Sequence, residues 1–261
     1  MAYAPFDLSG KVVLVTGGNR GIGLGMAEAM AASNASVAVW GRKQAANEAA
    51  VEKLSALGSG DVKAWTVDVA DEQAVVDATA DVVSSMGRID SCFANAGVGF
   101  GATSFAEMTT ETWRKNMVVN LDGAFWTLRE SVKHMTERAK AGDPGGSVVG
   151  VASLAGIEGA ARNQAYAATK GGLPSMIRGI AAECGRYGIR ANSILPGWIA
   201  TDMTAGAQDN DVFTTKVITR VPIRRWGEPE DFGGMAVYLA SDASRYTSGT
   251  TMIIDGGYAI F

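Results

Sequence analysis

Residues that build metal sites are scarce in this chain, which has one histidine and two cysteines among 261 residues. A zinc site usually draws most of its ligands from these two residue types, so we expect no Cys/His metal centre. Cys92 and Cys184 fall within apolar stretches, a setting typical of buried free thiols. Such thiols are in keeping with a reducing compartment, and we expect a cytoplasmic protein.

Long apolar runs and basic blocks are also absent. No apolar run approaches the ~20 residues of a membrane-spanning helix, and the first residues, MAYAPFDLSGK, lack the pattern of a signal peptide. A net charge of −4 argues against nucleic acid as a partner. With 47% hydrophobic residues and no recognisable linker, the chain has material for one sizeable core. We therefore expect a single domain over residues 1–261, with neither a membrane nor a nucleic-acid partner.

Short apolar runs alternate with helical patterns along the whole chain, and this alternation predicts an α/β fold built from βαβ units. Strands are expected at 12–15, 36–40, 62–67, 89–94, 148–153, 189–195 and 251–254. Helices are expected from near residue 21 and at 44–57, 71–86, 110–138, 164–187 and 228–239. The remaining segment at 198–221 is less regular and long for a connection, which favours a lid over a ligand.

The first strand leads directly into the sequence TGGNRGIG at 16–23. Gly17, Gly21 and Gly23 permit a tight turn and a close approach of the backbone to a pyrophosphate. The helix that begins near Gly21 would turn its unpaired amides and the positive end of its dipole toward that phosphate. The order strand, glycine loop and helix therefore predicts a dinucleotide site.

The end of the second strand bears on the choice of cofactor. NAD-binding sheets usually place an Asp or Glu there, about 20 residues beyond the glycines, to bind the ribose diol. This chain has Gly41, followed by Arg42 and Lys43, and Arg20 could face the same point. Guanidinium groups suit a 2′-phosphate, so NADP(H) is favoured and a Gly41→Asp change is expected to favour NAD(H). The alternatives are that Arg42 and Lys43 are merely solvated, or that Arg42 stacks on the adenine of either cofactor.

Ser153, Tyr166 and Lys170 form a second pattern. Tyr166 and Lys170 stand four residues apart in a predicted helix and share one face. A nearby ammonium lowers the pKa of a tyrosine from about 10 toward the working range. Ser153 ends a predicted strand, where α/β sheets bind ligands. The three residues predict a proton-transfer unit for a carbonyl/alcohol pair, although YxxxK alone would fit an ordinary surface pair.

Three further features lie near the predicted strand ends. Asp68 follows the third strand, where it could accept a hydrogen bond from an adenine amino group. The small residues of NAG at 95–97 follow the fourth strand, where a cofactor would lie against the backbone. Asn120 lies on the apolar face of the helix predicted at 110–138. The residue pattern leaves open whether Asn120 is a satisfied core amide or part of the site.

Together these motifs resemble the short-chain dehydrogenase/reductase family over nearly the whole chain. The matching motifs are TGGNRGIG at 16–23, Asp68, NAG at 95–97, Asn120, Ser153, YAATK at 166–170 and PGWIAT at 196–201. The resemblance implies a Rossmann-type, doubly wound, seven-stranded and largely parallel sheet with helices on both faces, assembled as a homotetramer. It also implies a catalytic tetrad of Asn120, Ser153, Tyr166 and Lys170, in which Asn120 holds a water and Lys170 also binds the nicotinamide ribose.

The resemblance and the loop patterns define two further sets of residues. The expected cofactor contacts are Gly17, Asn19, Arg20, Gly21, Ile22, Gly23, Arg42, Asp68, Val69, Asn95, Ala96, Gly97, Tyr166, Lys170, Pro196, Gly197, Ile199 and Thr201. The expected apolar substrate pocket is Val98, Leu154, Ile157, Trp198, Met203 and Phe213, any one of which could instead be ordinary core.

The function implied by the resemblance is NADP(H)-dependent hydride transfer to or from a ketone or secondary alcohol of small size. NAD(H) is the alternative cofactor, and a nucleotide-sensing protein without catalysis is the alternative class; such a protein would be expected to lose a tetrad member. Similar sequences include 3-oxoacyl-carrier-protein reductases and enzymes of sugars, steroids and small ketones. Residues 143–146 read DPGG, without the basic residues expected there for an acidic carrier protein.

Overall fold

The computed structural model describes residues 4–261, so residues 1–3 of the predicted domain and of the N-terminal stretch lie outside the described residues. Seven strands in this part of the chain form one sheet in the order β3-β2-β1-β4-β5-β6-β7, and every pairing is parallel. The strands are β1 Val12–Thr16, β2 Ser36–Gly41, β3 Val62–Thr66, β4 Ser91–Ala94, β5 Gly146–Val151, β6 Ile189–Pro196 and β7 Thr251–Ile254. This arrangement confirms the predicted doubly wound fold.

Helices connect the strands and cover both faces of the sheet. They are α1 Gly21–Ala32, α2 Gln44–Ser55, α3 Glu72–Met86, α4 Thr110–Met117, α5 Gly123–Lys140, α6 Ala155–Glu158, α7 Gln164–Cys184, α8 Ala205–Gln208, α9 Asp211–Arg220 and α10 Gly233–Ala240. Within β1, Leu14 belongs to the apolar core on one face, whereas Val13 and Val15 belong to the core on the other. Because side chains alternate along a strand and both faces are covered, β1 reads as an unbroken apolar run.

The order of the strands creates a crevice at the carboxyl edge of the sheet. β1 pairs with β2 on one side and with β4 on the other, so the order of the strands reverses between β1 and β4. The Thr16 hydroxyl joins the two strand ends, because it accepts hydrogen bonds of 3.0 Å from the backbone N–H groups of both Asn95 and Ala96. The predicted dinucleotide motifs therefore meet at one edge.

The predicted helix at 110–138 is interrupted in the structure. A π-helical turn, Val118–Asp122, separates α4 from α5 and contains Asn120. Such a turn follows the wider i→i+5 pattern and is frequent at functional sites. Its residues have no local signature that separates a π turn from an α turn, so the sequence predicts one continuous helix.

The segment at 198–221 is more regular than expected. It contains a 3₁₀ turn, Asp202–Thr204, followed by α8 and α9. Its polar residues act as helix caps: the Asn210 side chain accepts a 3.0 Å bond from the Phe213 backbone N–H at the start of α9. Polar capping residues at intervals of a few positions interrupt the helical hydrophobic periodicity, so the sequence shows no clear helical pattern in this segment.

Both cysteines are free and buried, as predicted. Burial raises the pKa of the Cys92 thiol to about 12, so this thiol stays protonated at neutral pH. His134 serves the fold, because its Nε2 accepts a hydrogen bond from the Ile89 backbone N–H at 3.2 Å. Of the helices within residues 4–261, none combines the length and apolar character needed to span a bilayer.

Candidate active site

The loop between β1 and α1 leaves no room for side chains at its glycines. A Cβ atom on Gly23 would lie 2.2 Å from the Gly17 carbonyl oxygen, and one on Gly17 would lie 3.1 Å from Asn95 Nδ2. Gly17 also has φ = 63°, a conformation that favours glycine. The helix α1 begins at the end of this loop, and the Arg20 side chain at its N-cap makes no capping hydrogen bond. The glycines therefore allow the close-packed turn, and the binding of a pyrophosphate at the start of α1 stays a prediction from the spacing.

The loop after β4 is fixed against this turn. Asn95 Nδ2 donates to the Thr16 carbonyl oxygen at 2.9 Å and more weakly to the Gly17 carbonyl oxygen at 3.4 Å. A Cβ atom on Gly97 would lie 3.5 Å from Lys170 Nζ, so the same loop also approaches the predicted catalytic residues. Thr16, which holds both ends of this arrangement, is not among the predicted site residues; its signal is a hydroxyl immediately before the glycine loop.

Asn120 is held entirely by protein partners. Its Nδ2 donates to the Val98 carbonyl oxygen and its Oδ1 accepts from the Val98 N–H, each at 2.8 Å, and Nδ2 also lies 3.3 Å from Thr169 Oγ1. The residue is 1% exposed. The side-chain amide therefore pairs with Val98 as a neighbouring strand would, and it positions the loop after β4 against α7.

Ser153, Tyr166 and Lys170 come together at the end of β5. Ser153 lies just beyond the last strand residue, Val151, and its hydroxyl is near enough to Tyr166 to lower the pKa of that phenol. Lys170 Nζ donates to the Val151 carbonyl oxygen at 2.7 Å and lies 5.7 Å from the centroid of the Tyr166 ring. With Asn120 behind the adjoining loop, the structure brings together all four residues of the predicted tetrad.

Burial dominates the electrostatics of these groups. It lowers the pKa of Lys170 to about 8, because the residue is 4% exposed and its ammonium loses hydration without a compensating carboxylate among residues 4–261. Burial likewise raises the pKa of Tyr166, and this effect exceeds the opposing effect of the Ser153 hydroxyl. The sequence predicts a Tyr166 pKa lowered by Lys170. In this structure the ammonium is directed at a carbonyl oxygen, and the phenol keeps its proton at neutral pH.

The cations predicted to bind a 2′-phosphate lie at separate places. Arg42 Nη1 lies 3.9 Å from Asp68 Oδ2, and both side chains are about half exposed. Arg20 Nη1 lies 3.4 Å from Asp202 Oδ2 in the 3₁₀ turn, which differs from the expectation that Arg20 faces the end of β2. Asn19, not Arg20, is the residue of the glycine loop that lies beside the end of β2. Exposed ion pairs of this kind contribute at most about 1 kcal/mol, so an incoming anion can displace either carboxylate.

The other predicted cofactor residues lie along the same edge, and two of them are core side chains. Val69 is 6% exposed and Ile199 is 4% exposed, so only their backbone atoms are available to a ligand. Residue 199 forms a parallel bridge with Gly227, which fixes the chain just before Thr201. A Cβ atom on Gly21 would lie 3.3 Å from Thr201 Cγ2, so the segment after β6 packs on the glycine loop. The other predicted cofactor residues along this edge are Ile22, Pro196 and Gly197.

The predicted substrate pocket divides into exposed and buried residues. Met203 Sδ and Tyr166 Cδ2 both lie within 4.0 Å of the position that a Cβ atom on Gly99 would take, so Met203 borders the catalytic ring. Leu154 is 5% exposed and belongs to the core, whereas Ile157 is 60% exposed. Val98 is half-buried, and its backbone is paired with Asn120.

An aromatic cluster holds the segment at 198–221 in place. The Trp198 ring makes edge contacts with Phe213 at 5.1 Å, Trp226 at 6.0 Å and Tyr258 at 6.5 Å between centroids. Arg220, at the end of α9, lies 4.2 Å over the Tyr258 ring and donates to its hydroxyl at 3.2 Å. Trp226 and Tyr258 are absent from the predicted pocket because only the fold brings these parts of the chain together.

Comparison with known proteins identifies the family of this chain. A family model described as enoyl-(acyl carrier protein) reductase matches residues 17–259. A 2,5-dichloro-2,5-cyclohexadiene-1,4-diol dehydrogenase from Sphingobium indicum is 34% identical, covering 97% of this chain and 98% of the relative. A gluconate 5-dehydrogenase from Gluconobacter oxydans is also 34% identical, covering 98% and 97%.

A solved structure is similar over the same length. It is a suggested 2-deoxy-d-gluconate 3-dehydrogenase from Agrobacterium tumefaciens with bound NADP, similar at a TM-score of 0.90 and 32% identity, covering 99% of this chain and 100% of that one. The fold, the glycine loop and these likenesses agree along almost the entire chain. The protein therefore belongs to the short-chain dehydrogenase/reductase family, and it is an oxidoreductase that transfers a hydride between a nicotinamide cofactor and an alcohol or carbonyl substrate.

Proposed function

We propose that this protein is an NADP(H)-dependent reductase and dehydrogenase of small hydroxylated ketones and secondary alcohols. The observation that carries the proposal is the set of Ser153, Tyr166 and the buried Lys170, next to a glycine turn that excludes side chains. A protein that only senses nucleotides has no need for a desolvated ammonium near a tyrosine ring.

Each residue of the set has a role that follows from its surroundings. Bound NADP(H) supplies or accepts the hydride. The Ser153 hydroxyl holds the substrate oxygen, and Tyr166 donates a proton to it during reduction or takes one during oxidation. Because burial raises the pKa of Tyr166, the phenol is protonated at neutral pH and is prepared to act as the acid. Lys170 adds positive potential behind the phenol, and Asn120 keeps the adjoining loop in register.

The preference for NADP(H) rests on Arg42. Position 41 supplies no carboxylate, and among residues 4–261 the ion-pair partner of Arg42 is Asp68 at a long 3.9 Å. A 2′-phosphate would offer Arg42 a stronger, charge-assisted contact. The similar Agrobacterium tumefaciens structure has bound NADP, which supports the same choice. NAD(H) remains the alternative, with Arg42 stacked on the adenine.

The substrate class is supported by the names of the relatives. Their stated substrates are a dichlorocyclohexadiene diol, gluconate and 2-deoxy-d-gluconate, each of which carries at least two oxygen atoms on a small skeleton. The segment at 198–221 would close over such a molecule, with Met203 beside the catalytic ring. We propose a free small molecule rather than a carrier-bound one.

We also propose a homotetramer in the cytoplasm. Apolar side chains are exposed on the last strand and at the C-terminus: Ile253 is 46% exposed, Ile260 91% and Phe261 68%. Such side chains suit burial between subunits. Two buried free thiols suit a reducing compartment. Light scattering at micromolar concentration should give about four times the mass of the chain; a single 27.1 kDa species would contradict the assembly.

A spectrophotometric assay tests the proposed function. NADPH and NADH would be offered with a panel of hydroxyketones, aldonic acids and simple cyclic ketones, and the reverse reactions run with the oxidised cofactors. We expect turnover that favours NADP(H) and that is lost in Tyr166→Phe. Tight binding of a dinucleotide without turnover in either direction would instead favour the nucleotide-sensing alternative.

A further inference from the structure

Asn163 occupies an unusual position for its chemistry. It is the N-cap of α7, where an asparagine side chain ordinarily accepts a hydrogen bond from a backbone amide of the first turn. Here the side chain makes no capping bond, and its Oδ1 is buried without any hydrogen-bond partner. Buried amide oxygens almost always accept a hydrogen bond, because an unpaired one loses its hydrogen bonds to water and gains none in the protein. The side chain has therefore been turned away from the helix that it could cap.

The Asn163 side chain and the catalytic tyrosine ring both approach Gly99. The position that a Cβ atom on Gly99 would take is 3.6 Å from Asn163 Nδ2, 3.9 Å from Met203 Sδ and 4.0 Å from Tyr166 Cδ2. These three groups thus surround the space left open by the missing side chain of Gly99. The amide atom nearest this space is Nδ2, whereas Oδ1 is the atom that is shielded from solvent without a partner. A buried amide without such partners is unfavourable unless a ligand pairs with it.

The backbone around Asn163 is held in this orientation at some cost. The preceding residue, Arg162, has φ = 66°, a left-handed conformation that is uncommon for residues other than glycine. Its carbonyl oxygen accepts a 2.8 Å hydrogen bond from the Ala102 N–H. A Cβ atom on Gly101 would lie 2.8 Å from the same oxygen, so this loop can approach only because residue 101 is glycine. The tie between the two loops fixes the Asn163 side chain at the edge of the cleft.

From this geometry we propose that the Asn163 amide binds a hydroxyl group of the substrate close to its reacting carbon, so the substrate is a vicinal diol or the matching hydroxyketone. The inference rests on the proposed function. An amide can both donate and accept, as a hydroxyl can, so the two groups match. Asn163 is then a specificity-determining residue, and Ser153 and Tyr166 remain responsible for the reacting oxygen.

Oxidation of trans-1,2-cyclohexanediol and of cyclohexanol with NADP⁺ tests this assignment, because the two alcohols differ by one hydroxyl. The native protein should prefer the diol by at least about tenfold in kcat/KM, since a site built to bind a hydroxyl rejects the analogue that lacks it. In Asn163→Leu, which keeps the branching at Cγ and removes both polar atoms, the ratio should fall toward one.

Asn163→Asp is the matched variant. Its carboxylate can accept from the hydroxyl, so a preference for the diol should persist. If Asn163→Leu slows both alcohols equally and keeps the native ratio, the residue is merely structural and the proposal is overturned. If the native protein binds NADPH yet oxidises neither alcohol, the proposed function fails together with this assignment.

Discussion

Two charged sites at the same edge of the sheet differ in how far their side chains are exposed to solvent. At the end of β5, Lys170 is 4% exposed and bonded at 2.7 Å to a backbone carbonyl oxygen, and burial lowers its pKa. At the end of β2, Arg42 faces Asp68 at 3.9 Å, and about half of each side chain is exposed. Chemistry requires groups that are fixed before the substrate arrives, because reorganisation adds to the barrier. Selection of NADP(H) over NAD(H) requires only a positive charge close to the 2′-phosphate, and an exposed side chain can supply it.

The strongest test of the buried region is Tyr166→Phe. Loss of an acid/base group should lower kcat by about 10²–10⁴. NADPH affinity should hardly change, because the substitution removes one hydroxyl and keeps the ring. Steady-state kinetics and a fluorescence titration measure the two quantities. A variant with near-normal turnover on a good substrate would contradict the proposed role.

The second test uses the pH dependence of stability in the cofactor-free protein. Burial lowers the pKa of Lys170 to about 8 in the folded protein, against about 10.4 in an unfolded chain. Between these values the unfolded chain holds one proton more at this site. The free energy of unfolding should therefore rise with pH between about 8 and 10. Below pH 8 the lysine is protonated in both states, and this site causes no change of stability with pH.

Lys170→Met isolates this contribution, because groups such as Cys92 titrate in both proteins. The difference in unfolding free energy, native minus variant, should increase by about 2–3 kcal/mol between pH 8 and 10. Denaturant unfolding at several pH values measures it. A difference that stays constant with pH would show that the ammonium is solvated and not desolvated as the structure indicates.

A smaller effect is expected in the exposed region for Arg42→Ala. Loss of one charge-assisted hydrogen bond should weaken NADPH binding by about tenfold or more and leave NADH binding nearly unchanged. The neighbouring exposed cation provides the control, since Lys43→Ala should have little effect on either cofactor. Equal weakening of NADPH and NADH by Arg42→Ala would mean that the arginine stacks on the adenine.

The smallest effect is expected at Arg20, whose guanidinium is paired with Asp202. Arg20→Ala should weaken NADPH binding less than Arg42→Ala does. Conversely, Asp202→Ala should release Arg20 and strengthen NADPH binding by up to about fivefold, the value of an exposed ion pair. Titration of both variants with NADPH and NADH checks this. No gain in Asp202→Ala would show that the pair does not hold Arg20 away from the phosphate.

Much of the fold was accessible from local patterns. The apolar runs predict every strand of the sheet, and the glycines at 17, 21 and 23 predict the phosphate turn. Tyr166 and Lys170 share a helix because four residues make about one turn, and this holds in any structure that keeps α7. These features depend on neighbours in the chain, so the sequence alone specifies them.

Gly41 shows where local reasoning stops. On sequence grounds Gly41→Asp should favour NAD(H), yet a Cβ atom there would lie 2.1 Å from Asn19 Nδ2 and 2.4 Å from Asn47 Oδ1. These two side chains are hydrogen-bonded to each other at 2.7 Å. The substitution would have to break this pair before the new carboxylate could act, so the expectation needs correction.

The sequence by itself thus determined the order of elements, the glycine turn, the tyrosine and lysine on one helix face and the class of reaction. Tertiary structure alone decided which partner each polar side chain meets: Val98 for Asn120 and Asp202 for Arg20, whereas Asn163 Oδ1 has no partner among the described residues. The physical reason is distance along the chain. Local periodicity encodes a helix or a strand, whereas a hydrogen bond, a desolvated charge and its pKa depend on residues that meet only after the chain has folded.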